Sequence, residues 1–139
     1  MRKLNQGGSC GQGEILDKPR VLIVDRSQLD GRILEELLRP TAEVIVKCNV
    51  WTAVKYIDSE KRGISAIFVE MRLLQSSSLS EHWSKSVGRE RRPRIFVTYD
   101  DDREKKRLDL KRFGVVGSLR KPYDKRDLVR ILRSFDALA

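Results

Sequence analysis

Apolar residues fall in two alternating rhythms along this chain. Three unbroken runs, Val21-Leu22-Ile23-Val24, Ile67-Phe68-Val69 and Ile95-Phe96-Val97, stop abruptly at Asp25, Glu70 and Thr98. Runs of this length without alternation fit strands buried on both faces. Between them, apolar positions recur every three or four residues, the spacing of one helix face. Read in order, the pattern predicts strands over 20–25, 43–48, 66–70, 94–98 and 115–119. Ser27 caps a first helix carrying Leu29, Ile33, Leu34, Leu37 and Leu38, which Pro40 ends. Asn49 caps a second, which contains Trp51, Val54 and Ile57 and closes near Gly63. A serine-rich loop is expected over 75–80 and a short third helix over 80–87. A fourth helix spans 103–113 and stops at Gly114. Asp124 caps the last, with Leu128, Ile131, Leu132, Phe135 and Leu138 facing inward.

Alternating strands and helices with right-handed crossovers make a doubly wound α/β sheet of five βα units. In such sheets the strands' carboxyl edge is where ligands bind. Asp25, Glu70 and Thr98 therefore converge there, together with Lys121 of the Lys121-Pro122-Tyr123 segment that follows the fifth strand.

Composition narrows the classes. A length of 139 residues fits one domain plus a tail. We expect residues 1–18 to be a flexible tail or linker, because Gly7-Gly8-Ser9 and Gly11-Gln12-Gly13 offer little apolar surface to offset ordering entropy. Residues 19–139 form the domain. No stretch approaches the roughly 20 apolar residues of a membrane span, and no apolar run follows Arg2 and Lys3 as in a secretory signal. Two distant cysteines, Cys10 and Cys48, suggest no disulfide framework, so a reducing cytoplasm is the expectation. The net charge of +9 invites an acidic partner or nucleic acid, unless it is only a solvated surface.

The order of motifs, from Val21–Asp25 through Ile67–Glu70, Ile95–Thr98 and Gly117-Ser118-Leu119 to Lys121-Pro122, resembles the receiver domain of two-component response regulators. The resemblance covers residues 19–138. It implies a flavodoxin-like (CheY-like) fold with five parallel strands in the order 2-1-3-4-5. It also implies a first strand ending in two acids that hold Mg²⁺, a phosphoacceptor aspartate, a hydroxyl and a lysine. Asp25 matches the first acid, Glu70 the phosphoacceptor, Thr98 the hydroxyl and Lys121 the lysine. A cis bond before Pro122 is implied as well.

The departures carry more information than the matches. Arg26 stands where the second acid belongs, and Glu70 replaces the aspartate. Tyr99 follows Thr98 where the family prefers a small residue, and Ser118 takes the place of the switch aromatic. Arg26 pointing inward would pair in forked geometry with Glu70 and Asp25 and fill the metal's charge role. Pointing outward, it would leave the site one ligand short. Glu70 either imitates a phosphorylated aspartate or is an acid kept after phosphorylation was lost. Its extra methylene carries the carboxylate toward Thr98 and Lys121, and we expect Lys121 to pair with it. Tyr99 either covers the pocket mouth or fills the space left at Ser118.

The expected function is thus an atypical receiver, a pseudo-receiver: a phosphorylation-independent protein-interaction module without catalytic turnover and without a cofactor, Mg²⁺ not being expected. Two alternatives stand beside it, a phosphorylatable receiver and a basic nucleic-acid-binding module. Residues 101–139 hold twelve Lys/Arg against seven Asp/Glu, with Lys105, Lys106, Arg120, Arg126 and Arg130 on the face receivers commonly use for partners. That face suggests an acidic signalling protein, or a homodimer through the fourth and fifth helices. The single histidine, His82, reads as a helix-surface residue, and no His or Cys pair has metal-ligand spacing.

Overall fold

A computed structural model describes residues 18–60, 62–74, 77–86, 93–101 and 113–136. Five strands, β1 (Arg20–Val24), β2 (Glu43–Lys47), β3 (Ala66–Glu70), β4 (Arg94–Tyr99) and β5 (Val115–Arg120), form one sheet in the order β2-β1-β3-β4-β5. Every pairing is parallel. This is the order 2-1-3-4-5. Among the described residues the helices are α1 (Gln28–Leu38), α2 (Val50–Ser59), α3 (Met71–Leu74), α4 (Ser77–Ser86) and α5 (Lys125–Asp136).

The central strand β3 is buried along its whole length, whereas β2 at one edge is half-buried. The sequence carries that contrast: β3 is apolar up to Glu70, whereas the charged Glu43 and Lys47 bracket the apolar Val44-Ile45-Val46 of β2. Side chains of each strand alternate between two cores. Val21, Ile23, Phe68 and Phe96 pack with Leu34 and Leu38 of α1 and Leu128 and Ile131 of α5. Leu22, Val24, Ile67, Val69 and Val97 pack with Ala53 and Ile57 of α2 and Leu79 and Trp83 of α4. The rings of Phe68 and Phe96 stack with centroids 4.9 Å apart on adjacent strands.

The predicted caps form. The Ser27 side chain accepts from the Asp30 backbone N–H at 3.2 Å, and Asn49 Oδ1 accepts from Thr52 at 2.9 Å. Gly114 closes its turn with a φ of 75°, a left-handed conformation open to glycine at little cost.

Several expectations need correction. The third helix forms as α4 but begins at Ser77, inside the expected serine loop, and the short α3 precedes it; residues 75–76 and 87 lie outside the described residues. Serine's weak propensity yields to burial, because Met71, Leu74, Leu79 and Trp83 are all anchored in the core. Leu29 and Ile33 point to solvent from α1, at 69% and 44% exposure, and Trp51 is 68% exposed on α2. The buried face of α1 instead runs through Gly31, Leu34 and Leu38. Gly31 is there for proximity, since a Cβ on it would lie 2.9 Å from Val46 Cγ1 of β2. The tail (1–17) and residues 103–112 of the predicted fourth helix, with Lys105 and Lys106, lie outside the described residues. No helix among the described residues is long and apolar enough to cross a membrane.

Candidate functional site

The carboxyl ends of β1, β3 and β4 meet at one buried pocket. Register sets Glu70 beside Thr98. Asp25 follows β1 directly, and its N–H donates to the Lys47 carbonyl at 3.1 Å, extending the β1–β2 pairing by one residue. Lys121 follows β5, pinned by its own N–H to the Tyr99 carbonyl at 2.8 Å. The Lys121–Pro122 bond is cis. Asp25, Glu70, Thr98 and Lys121 are the buried polar residues of the described chain, each at 8% exposure or less.

Two ion-pair systems fill the pocket. In the first, Arg26 points inward and forks Glu70: Nε donates to Oε1 at 2.8 Å and Nη2 to Oε2 at 2.9 Å. The Arg26 backbone N–H adds a longer bond of 3.3 Å to Oε1. Burial alone would raise the Glu70 carboxyl, but the Arg26 hydrogen bonds and charge outweigh it and hold the group below its usual range. Asp25 is not part of this fork. Its Oδ1 accepts from the Ser27 N–H at 2.8 Å.

In the second system the Lys121 ammonium lies 2.8 Å from Asp25 Oδ2 and 2.9 Å from Asp30 Oδ2. Only the Asp30 contact has hydrogen-bond geometry, and Asp25 Oδ2 receives no hydrogen bond. Burial opposes the Lys121 charge, yet the two carboxylates more than offset it and raise its proton affinity above that of an ordinary lysine. Burial also pushes the Asp25 carboxyl up, which by itself favours a neutral pair. The Lys121 contact and the Ser27 N–H donation both favour the carboxylate, and the raised proton affinity of Lys121 keeps the ammonium charged beside it.

Lys121 thus pairs with Asp25 and Asp30, not with Glu70 as expected from the sequence, and acts on Glu70 only through space. The cause is local: α1 begins at Gln28, so Asp30 sits in its first turn within reach of the lysine. The hydroxyl groups of Thr98 and Tyr123 are buried without a hydrogen-bond partner, although Thr98 is close enough to Tyr123 to lower its proton affinity. Burial outweighs that influence and leaves the Tyr123 hydroxyl well above a free tyrosine's.

The chain is similar in fold to solved response-regulator and receiver-domain structures. A response regulator from Thermotoga maritima superposes with a TM-score of 0.70 at 19% identity, covering 85% of this chain and 97% of that one. The receiver domain of a sensor histidine kinase from Pseudomonas aeruginosa, with a magnesium ion in its active-site cleft, gives 0.69 at 20% identity, covering 86% and 98%. The receiver domain of the Saccharomyces cerevisiae response regulator Ssk1, in complex with the histidine phosphotransfer protein Ypd1, gives 0.66 at 17% identity, covering 88% and 91%. The chain has the CheY-like receiver-domain fold. No family model matches the sequence, and no curated protein does either.

Within the receiver fold, Tyr99 and Ser118 leave the pocket. Tyr99 joins Val97 and Trp83 in the core on the α2 and α4 side instead of covering the pocket mouth. Ser118 pairs with Val97 and so shares that side of the sheet. Of the expected partner face, Arg120 is exposed at the end of β5, and Arg126 and Arg130 stand on α5. The Arg126 guanidinium stays 4.0 Å from Asp124, whose Oδ1 accepts from the Arg126 backbone N–H at 2.7 Å, and Arg130 donates to Asp127 at 3.2 Å. With Lys125, Val129 and Arg133 these two line a surface groove. His82 lies at a helix surface as expected, its Nδ1 2.9 Å from Asp58 of α2. Asp30 and Tyr123 were missed by sequence reasoning. The signal available was local, a Ser27-x-x-Asp30 helix start and a Tyr directly after Lys121-Pro122.

Proposed function

We propose that this chain is an atypical receiver: a signalling module of the cytoplasm that holds a protein partner without being phosphorylated and without catalysing a reaction. The observation that carries this reading is the two-pronged Arg26 fork on Glu70. A receiver's phosphoacceptor must present a free carboxylate oxygen to an incoming phosphoryl group. Both Glu70 oxygens are engaged by one permanent cation.

The pocket also fits poorly the Mg²⁺ that the receiver fold implies. Mg²⁺ asks for near-octahedral oxygen ligands at about 2.0–2.1 Å. Here a guanidinium occupies the neighbourhood of Glu70, an ammonium that of Asp25, and among the described residues no three Asp, Glu, His or Cys side chains are grouped so as to hold a metal ion. Imitation of a phosphorylated aspartate is disfavoured by the same contacts. An imitating carboxylate would draw in Thr98 and Lys121, but Lys121 is bound to other acids and the Thr98 hydroxyl has no partner.

Partner binding is supported by the charge of α5, where Lys125, Arg126, Arg130 and Arg133 surround the half-exposed Val129. An apolar centre within a charged rim suits a protein better than a phosphate backbone. The yeast complex gives a precedent for a receiver fold held by a signalling protein. The test is incubation with acetyl phosphate and Mg²⁺, followed by intact mass. No phosphoryl adduct is expected, and a stoichiometric, hydroxylamine-labile adduct would overturn the reading in favour of a phosphorylatable receiver.

A further inference from the structure

The Arg26–Glu70 fork is one reason why this pocket cannot perform receiver chemistry. A second lies on the other side of it. Lys121 is 8% exposed and shares its ammonium between Asp25 at 2.8 Å and Asp30 at 2.9 Å. The aligned hydrogen bond goes to Asp30, which comes from α1 and not from any strand end. An ammonium has three donors and a compact charge. Two carboxylates in contact satisfy that charge, and nothing is left to draw it toward Glu70. The Thr98 hydroxyl beside Glu70 is correspondingly left unpartnered.

We propose that Asp30 is a positioning residue: by holding the Lys121 ammonium it keeps that cation off Glu70, so the pocket carries a second lock independent of the Arg26 fork. This inference deepens, and rests on, the reading of the chain as an atypical receiver. Its consequence is specific. Restoring acids at positions 26 and 70 gives back carboxylates for a metal but leaves the lysine engaged elsewhere. Phosphoryl transfer to a carboxylate forms one P–O bond and breaks the P–O bond to acetate, which departs with the electron pair. The charge that builds on the phosphoryl oxygens then lacks its usual lysine.

Three variants of the full chain test this: Arg26→Asp/Glu70→Asp, the same pair with Asp30→Asn, and the same pair with Asp30→Glu. Asp30→Asn spares the Ser27 cap, which uses the Asp30 backbone N–H. Each variant is titrated with Mg²⁺ by amide NMR and then incubated with Mg²⁺ and acetyl phosphate for intact mass. We expect the double variant to bind Mg²⁺ while forming adduct at least tenfold more slowly than the Asp30→Asn triple variant. Their Mg²⁺ affinities should agree within about threefold. Asp30→Glu, which keeps the charge, should stay slow. Equal adduct rates in the double and Asn variants would overturn the role of Asp30 while leaving the atypical-receiver reading intact. Adduct on the unmodified chain would overturn that reading instead. A rate gain matched by an equal gain in Mg²⁺ affinity would also refute the proposal, because Asp30 would then act through pocket charge and not through Lys121.

Discussion

Replacing Arg26 by alanine isolates the fork on Glu70. The substitution removes hydrogen bonds of 2.8 and 2.9 Å from a carboxylate whose side chain is 11% exposed. Stripping one partner from a fully buried ion pair costs about 3–5 kcal/mol. A fully exposed pair contributes about 0–1 kcal/mol. The Arg26 side chain is 48% exposed, so water screens one end of the pair and the expected loss is intermediate, about 1–2 kcal/mol at neutral pH. For a domain of this size that corresponds to a fall in Tm of roughly 3–8 °C.

The pH dependence gives the sharper test. In the native protein Glu70 titrates below its ordinary value of 4.5. A carboxyl whose folded pKa is depressed adds stability that is fully present above its unfolded pKa and lost as pH falls through the folded one. In the variant, burial is no longer opposed by Arg26, so Glu70 moves the other way and its charge becomes a liability at neutral pH. The gap in Tm between the two proteins should therefore be widest near neutrality and shrink as pH falls through the carboxylate range. Thermal unfolding followed by circular dichroism from neutral to acidic pH measures this. A gap that stays constant across the series, or a variant as stable as the parent at neutral pH, would falsify the account of Arg26 as the group that stabilises a charged Glu70.

Two further outcomes follow from packing and from the surface. Gly31→Ala places a methyl 2.9 Å from the stiff side chain of Val46. Overpacking of about 1–3 kcal/mol should exceed the helix-propensity gain of about 1 kcal/mol, so urea unfolding is expected to show a net loss, and a stabilised variant would contradict the close approach of α1 to β2. Arg126→Glu with Arg130→Glu should leave Tm nearly unchanged, because both side chains are well exposed and their pairs contribute little. The same variant should weaken binding to an acidic partner recovered by pull-down, most of all at low salt, and unchanged affinity would show the α5 charges to be only a solvated surface.

The strands were legible because burial on both faces leaves a mark that needs no tertiary knowledge: an unbroken apolar run ending at the sheet edge. The same ends gave Asp25, Glu70 and Thr98, since a strand's last residue and the pocket edge are one place. Helical faces were less legible. Leu29 and Ile33 fit the period of α1 as well as Leu34 does, yet they point away from the sheet. Periodicity fixes a stripe but not which of two overlapping stripes faces inward. Gly31 decides the matter in the folded chain, and a glycine's absence of bulk is invisible to any count of apolar residues. The early start of α4, and α3 before it, were missed for the opposite reason. The serines of this segment carried a loop signal, while four well-spaced apolar anchors, Met71, Leu74, Leu79 and Trp83, outweighed it.

The partner of Lys121 was misjudged through a limit of motif reading itself. Reading from strand ends lists only residues that strands deliver, and so it offered Glu70 as the acid for the lysine. Asp30 arrives by a different route, on the first turn of a helix, 91 residues from Lys121 in sequence. Coulomb attraction does not distinguish routes. Among three acids the ammonium settles where two carboxylates can share it and where no guanidinium already competes. Glu70 meets neither condition, because Arg26 holds both of its oxygens. The Lys121 system therefore stands on its own pair of carboxylates, and a change that releases Arg26 is expected to leave the ammonium with Asp25 and Asp30. An Arg26→Ala protein should keep the Asp30 side-chain carboxyl resonance of the parent. A shift of that resonance toward an unpaired carboxylate would show that Glu70 takes the lysine once Arg26 is gone, and that the second lock depends on the first.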